Sequence, residues 1–106
     1  MIYRLIFHNE AKDELAGLYD YIADESGPDR AWSYVSGIRK FCVDLADFPK
    51  RGTERADIAP GLRVIGYRRS ASIAFCVADD LVVILGIYYA GRSFSADDIE
   101  RRISTT

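Results

Sequence analysis

Gly61-Leu62-Arg63-Val64-Ile65-Gly66-Tyr67, then Arg68-Arg69-Ser70, then Ala71-Ser72-Ile73-Ala74-Phe75-Cys76-Val77-Ala78, then Asp79-Asp80, then Leu81-Val82-Val83-Ile84-Leu85-Gly86-Ile87-Tyr88-Tyr89 and Ala90-Gly91-Arg92 is the stretch that decides the fold. Three runs rich in Val, Ile, Tyr and Phe are separated by one polar tripeptide and one polar dipeptide. That is the pattern of consecutive antiparallel strands joined by tight turns, a β-meander. Asp79-Asp80 fits a two-residue hairpin loop, because Asp tolerates the left-handed backbone angles such loops need. The third run is apolar at almost every position from Leu81 to Ile87, which predicts a central strand covered on both faces.

The cover must come from elsewhere in the chain, and the N-terminal half supplies helices. Ile2 to Phe7 reads as a short strand with Tyr3, Leu5 and Phe7 on one face and Arg4 on the other. Asn9 and Glu10 then signal a helix start, Asn9 as cap and Glu10 as complement to the helix dipole. Ala11, Leu15, Leu18 and Ile22 recur at helical spacing up to about Glu25, with Lys12, Asp13, Asp20 and Asp24 turned outward. Ser26-Gly27-Pro28-Asp29 stops one helix and starts another. From Arg30 to Asp47, the positions Ala31, Val35, Ile38, Cys42 and Leu45, flanked by Tyr34 and Phe41, form a wide apolar stripe. Two amphipathic helices on so short a link predict an antiparallel hairpin. Phe48-Pro49 ends the second helix, and Thr53 to Pro60 reads as a polar connection.

After Arg92, Ser95 and Asp98 have capping-box spacing and Phe94 is placed to staple onto Ile99. Residues 93–106 are read either as a short helix or as a partly ordered tail. The expected fold is thus α+β, in the order β-α-α-β-β-β. An antiparallel helix hairpin packs on one face of a mainly antiparallel sheet.

The totals narrow the function. The chain has 106 residues, 49% of them hydrophobic and 28% charged, as expected of one soluble globular domain over 1–106. No apolar run approaches the ~20 residues needed to span a bilayer, and the opening Met1-Ile2-Tyr3-Arg4 lacks a signal-peptide pattern, so a cytoplasmic location is expected. Cys42 and Cys76 read as small buried apolar residues, and with one histidine, His8, no zinc set is available. No metal or cofactor is expected. A net charge of −2 argues against a protein that lives on nucleic-acid phosphate. Charge is nonetheless uneven: Lys50, Arg51, Arg55, Arg63, Arg68 and Arg69 face only Glu54 and Asp57 between positions 50 and 69. This local basic patch is read either as a solvated rim or as a binding surface.

The element order and a series of local strings resemble the ParE/RelE superfamily of toxins from bacterial type II toxin–antitoxin pairs, and the ParE branch in particular. The strings include Phe7-His8-Asn9-Glu10-Ala11, Leu18-Tyr19-Asp20-Tyr21-Ile22, the Gly27-Pro28 hinge, Phe48-Pro49-Lys50-Arg51-Gly52, Pro60-Gly61-Leu62-Arg63, Tyr67-Arg68 and Gly91-Arg92. The resemblance implies a toxin neutralised by a ParD-like antitoxin whose extended C-terminal segment wraps it. It also implies a higher-order assembly that touches DNA only through the antitoxin. ParE-like members are described as poisoning DNA gyrase, with roles in plasmid stabilisation and stress response. RelE-like members cut messenger RNA on the ribosome, and fold cannot choose between the two.

Metal-free RNA cleavage needs a base, an acid and cations around the phosphate. The resemblance to RelE would draw these from Arg63, Arg69, Tyr89 and Arg92. An unperturbed Tyr, with a pKa of ~10, is a poor base, and the meander carries no His or Glu. The expected activity is therefore binding without catalysis; a toxin fold that serves only to bind antitoxin is a further reading. Arg92 and Phe94 are the residues expected to meet the target. Antitoxin contacts are expected at Trp32, which falls off the apolar stripe and suits either a cover for the edge of the helix pair or an aromatic anchor, at Tyr19 (with Tyr21 equally placed), and at Arg63, Arg68 and Arg69, whose guanidiniums suit carboxylates or nucleic-acid phosphate, the antitoxin being favoured because the rest of the chain is not basic.

Overall fold

The structure is a computed structural model that describes residues 3–105. Its elements are β1 (Arg4–Phe7), α1 (Asn9–Ser26), α2 (Pro28–Asp47), β2 (Thr53–Glu54), β3 (Leu62–Tyr67), β4 (Ala71–Ala78), β5 (Leu81–Tyr89) and α3 (Ala96–Ser104). The sheet order is β1-β5-β4-β3-β2, with β1 parallel to β5 and every other pair antiparallel. The meander is formed as the apolar runs demand. Ala78 pairs with Leu81 across Asp79-Asp80, and Asp79 takes the left-handed φ of 53°.

Two local features differ from expectation. The cap of α1 is His8, whose Nδ1 accepts the Glu10 amide at 3.1 Å, while Asn9 is already helical. Within the polar connection, Thr53 and Glu54 pair with Val64 and Arg63 as a fifth, two-residue strand at the sheet edge. The expected strand start at Ile2 lies outside the described residues. The C-terminal stretch is a helix: Ser95 Oγ accepts the Asp98 amide at 3.1 Å and caps it.

The sheet carries an apolar layer on each face. Leu15, Leu18, Val35, Ile38, Cys42 and Leu45 of the α1–α2 hairpin pack against Ile73, Phe75, Ile84 and Ile87. On the other face, Ile99 of α3 seals Leu62, Ala74, Val83, Leu85 and Tyr88. A β-bulge in β5 sets which residue faces where. Ala74 pairs with Gly86 but Phe75 with Ile84, so Leu85 is an extra residue. The bulge shifts the alternation by one: Val82 and Ile84 face the hairpin, then Ile87 and Tyr89 do, leaving Tyr88 under α3.

The bulge and the short length of β1 also expose backbone groups on β5. β1 accompanies β5 only as far as Ile84, whose carbonyl accepts the His8 amide at 2.9 Å before the chain turns into α1. Beyond that point, side chains from both layers take the place of a neighbouring strand. Glu14 Oε1 accepts the Ile87 amide at 3.1 Å, and Arg102 Nη1 donates to the Leu85 carbonyl at 2.9 Å. The same two side chains join each other by two hydrogen bonds of 2.8 and 3.0 Å. A bidentate ion pair thus closes the open strand edge and fastens α3 to α1.

Candidate functional site

At the end of the domain where the α1–α2 hinge meets the β3–β4 turn, a notch of about 630 Å³ opens to solvent. Arg30 enters it from the first turn of α2, and Arg68 and Arg69 from the β3–β4 turn. Tyr34, Tyr21 and Tyr89 form walls, over a floor that includes Leu18 and Ile22. The position of each follows from local structure. Tyr89 faces the hairpin because of the β5 bulge. Arg30 and Tyr34 are four residues apart and so share a helix edge. Arg68 and Arg69 both take left-handed angles, φ 49° and 61°, and the Ser70 amide closes the turn on the Tyr67 carbonyl at 3.1 Å. Tyr34 and Ser70 hydroxyls hydrogen-bond at 2.5 Å, which ties α2 to the turn.

The electrostatics of the notch are one-sided. No Asp or Glu lines it, and neither Arg30, Arg68 nor Arg69 pairs with a carboxylate among the described residues. The other arginines of the sheet and α3 are matched: Arg4 with Asp80, Arg55 with Asp57, Arg63 with Glu54, Arg101 with Glu10 and Arg102 with Glu14. The Arg68 guanidinium lies 5.4 Å from the Tyr67 ring centroid, an arrangement that leaves its N–H groups available.

The residues picked out from sequence are distributed over several surfaces. Arg68, Arg69 and Tyr89 meet in the notch. Arg63 does not: it lies four residues down β3, where its Nε donates to the Arg51 carbonyl at 3.0 Å. Arg92 stacks over Tyr89, 5.1 Å from the ring centroid, and lines a separate hollow with Asp13, Glu14 and Gly17. The Tyr21 and Tyr89 rings, 5.9 Å apart, form the ridge between that hollow and the notch. Phe94 is on the other side of the sheet, with its ring 5.7 Å from Tyr88 and Arg55 above it at 5.9 Å. Ala90 and Gly91, both with positive φ, turn the chain between these two positions. Trp32 is 67% exposed on α2 and outside the notch, and Tyr19 is half-buried against the helix-side core.

Sequence reasoning missed Arg30, Tyr34 and Ser70 in the notch, and also the Glu14–Arg102 pair. The spacing of Arg30 and Tyr34 was the available signal. His8 is a structural residue: it is 8% exposed, caps α1 and binds Thr105 Oγ1 through Nε2 at 2.8 Å. Burial pushes the Cys42 thiol up to about 12. The Tyr88 phenol rises to about 12 as well, chiefly through burial, with Arg102 acting against the shift. No group of His, Cys, Asp and Glu among the described residues is arranged to hold a metal, and no described helix is long and apolar enough to cross a membrane. Chemically, the notch suits a localised anion with an apolar or aromatic neighbour.

Comparison with known proteins agrees with this architecture. A solved structure from the chromosomal ParDE toxin–antitoxin system of P. aeruginosa superposes with a TM-score of 0.72 at 26% identity, covering 83% of this chain and 96% of that one. A mutant of E. coli toxin RelE in the free state matches at 0.64 and 18% identity, covering 99% and 97%, a likeness of fold alone. No curated protein matches. The fold is that of the ParE/RelE toxin superfamily. Residues 5–94 match the family described as the ParE toxin of the type II toxin–antitoxin system parDE, and the chain belongs to that family. Of the described elements, α3 lies beyond the matched residues.

Proposed function

We propose that this protein is a ParE-type toxin that inhibits DNA gyrase by surface contact and is neutralised by a ParD-like antitoxin, whose extended C-terminal segment wraps it in a higher-order assembly in the cytoplasm. The observation that carries the reading is the family match over residues 5–94, which spans both helices of the hairpin and the whole meander. The placement of the arginines supports binding over catalysis. A ribonuclease would need Arg63, Arg69, Tyr89 and Arg92 around one phosphate. Here Arg63 is held under the Arg51 carbonyl and Arg92 lies across the tyrosine ridge from Arg69. The notch itself offers no His, Asp, Glu or Lys as proton acceptor or donor. Inducible expression in a bacterial host tests the reading. Growth arrest relieved by the co-expressed cognate antitoxin, with messenger RNA intact on translating ribosomes, is the expected outcome. Codon-phased messenger cleavage would replace it with the ribonuclease reading.

A further inference from the structure

We propose that the notch between the α1–α2 hinge and the β3–β4 turn is the seat for a carboxylate-bearing, apolar-flanked segment of the antitoxin, gripped by Arg30, Arg68 and Arg69. The proposal rests on the antitoxin reading above and assigns it a site and a chemistry.

Four observations carry it. First, three guanidiniums, Arg30, Arg68 and Arg69, share one hollow whose lining holds no Asp or Glu, so a cationic notch is kept in an acidic chain. Second, the turn that presents two of them is conformationally costly. Successive left-handed residues at 68 and 69 favour Asn and Gly, and arginines hold those angles here against their preference. Third, the notch is braced: the Tyr34–Ser70 hydrogen bond ties the turn that carries Arg68 and Arg69 to α2, which carries Arg30. Fourth, the walls and floor are Tyr21, Tyr34, Tyr89, Leu18 and Ile22, which match an apolar or aromatic side chain beside the acid.

The surrounding charge selects a peptide over a nucleic-acid strand. Asp13 lines the adjoining hollow, and Asp20, Asp24 and Glu25 are exposed on α1. A polyanion leaving the notch in that direction would be repelled, whereas one or two carboxylates on a short segment need only the notch itself. Forked hydrogen bonds from guanidinium to carboxylate supply the orientation.

The cognate antitoxin titrated onto the full-length toxin, followed by calorimetry at low and high salt, tests the assignment. The variants are Arg69→Glu, the neutral pair Arg68→Gln with Arg69→Gln, and Arg30→Gln, with Arg4→Gln as a remote control and circular dichroism as the check on fold. The expected result is a loss of about tenfold or more in affinity for each notch variant, a weaker salt dependence, and no change for Arg4→Gln. Folded notch variants that bind the antitoxin like wild type, with the same salt dependence, overturn the site while leaving the antitoxin reading intact. Wild-type toxin that fails to bind the antitoxin overturns both. A single-stranded oligonucleotide that binds wild type and is lost in the notch variants, with antitoxin binding unchanged, assigns the notch to nucleic acid and also overturns the proposal.

Discussion

Arg102→Met is the substitution whose cost follows most directly from the structure. The Arg102 side chain is 7% exposed and its partner Glu14 is 19% exposed. Removing the guanidinium strips two hydrogen bonds from the Glu14 carboxylate and one from the Leu85 carbonyl. A buried ion pair broken on one side costs about 3–5 kcal/mol, and an orphaned buried carbonyl about 1–3 kcal/mol. Glu14 keeps the Ile87 amide and some contact with water, so these terms overlap, and a net loss of about 2–4 kcal/mol is expected. That is a large share of the roughly 5–15 kcal/mol typical of a whole domain. Urea unfolding of wild type, Arg102→Met, Glu14→Leu and the double variant provides the measure. The double variant should cost less than the sum of the singles by about 1–3 kcal/mol, because no uncompensated charge remains. A single-variant loss below about 1 kcal/mol, or additive singles, would refute the idea that this pair closes the β5 edge.

Gly37→Ala should destabilise the protein although Ala favours helix by about 1 kcal/mol, because the new Cβ would clash with the Tyr67 hydroxyl; adding Tyr67→Phe should recover most of the loss in thermal melts. Glu10 contributes a pH dependence. The Arg101 hydrogen bonds, helped by Arg102 and His8, hold its carboxyl below the ordinary 4.5, against a smaller opposing effect of burial. The unfolded chain therefore takes up the proton first, and the stabilisation is complete above pH 4.5 and lost as pH falls through the lowered value. The stability gap between wild type and Glu10→Gln, read from urea midpoints at falling pH, should close below 4.5; a gap that persists to pH 2 would count against the pairing. Cys42 is fully buried while Cys76 is partly accessible, so iodoacetamide should label Cys76 in the native protein and Cys42 only on unfolding; equal labelling rates would contradict this packing. Trp32 is the only tryptophan and is exposed, so Trp32→Ala should change stability by no more than about 0.5 kcal/mol, and the wild-type fluorescence should shift to the blue if antitoxin covers it.

The elements that were legible in the sequence are those whose signal is local. The meander follows from apolar runs and two tight turns, and the helix hairpin from two stripes around Gly27-Pro28. What stayed hidden depends on distant partners or on missing contrast. Thr53 and Glu54 form a strand segment of two exposed polar residues, which has no periodicity to read. The β5 bulge is masked because Leu81 to Leu85 are all apolar, so a shift in phase changes no pattern, yet it decides that Tyr89 and not Tyr88 reaches the notch. Glu14 and Arg102 are 88 residues apart, and only the early end of β1 gives them something to cap. Arg92 and Phe94 are neighbours in sequence and on opposite sides of the sheet, because the turn at Ala90-Gly91 falls just before them. The notch combines a helix start with a turn 38 to 40 residues later, Arg30 with Arg68 and Ser70, and no short-range spacing could join them.

The most direct test of the central claim is plasmid supercoiling by purified DNA gyrase with rising amounts of the toxin, freed of antitoxin, and then with the antitoxin added back. The account predicts dose-dependent loss of supercoiling that the antitoxin restores. Normal supercoiling at every dose of folded toxin would contradict it.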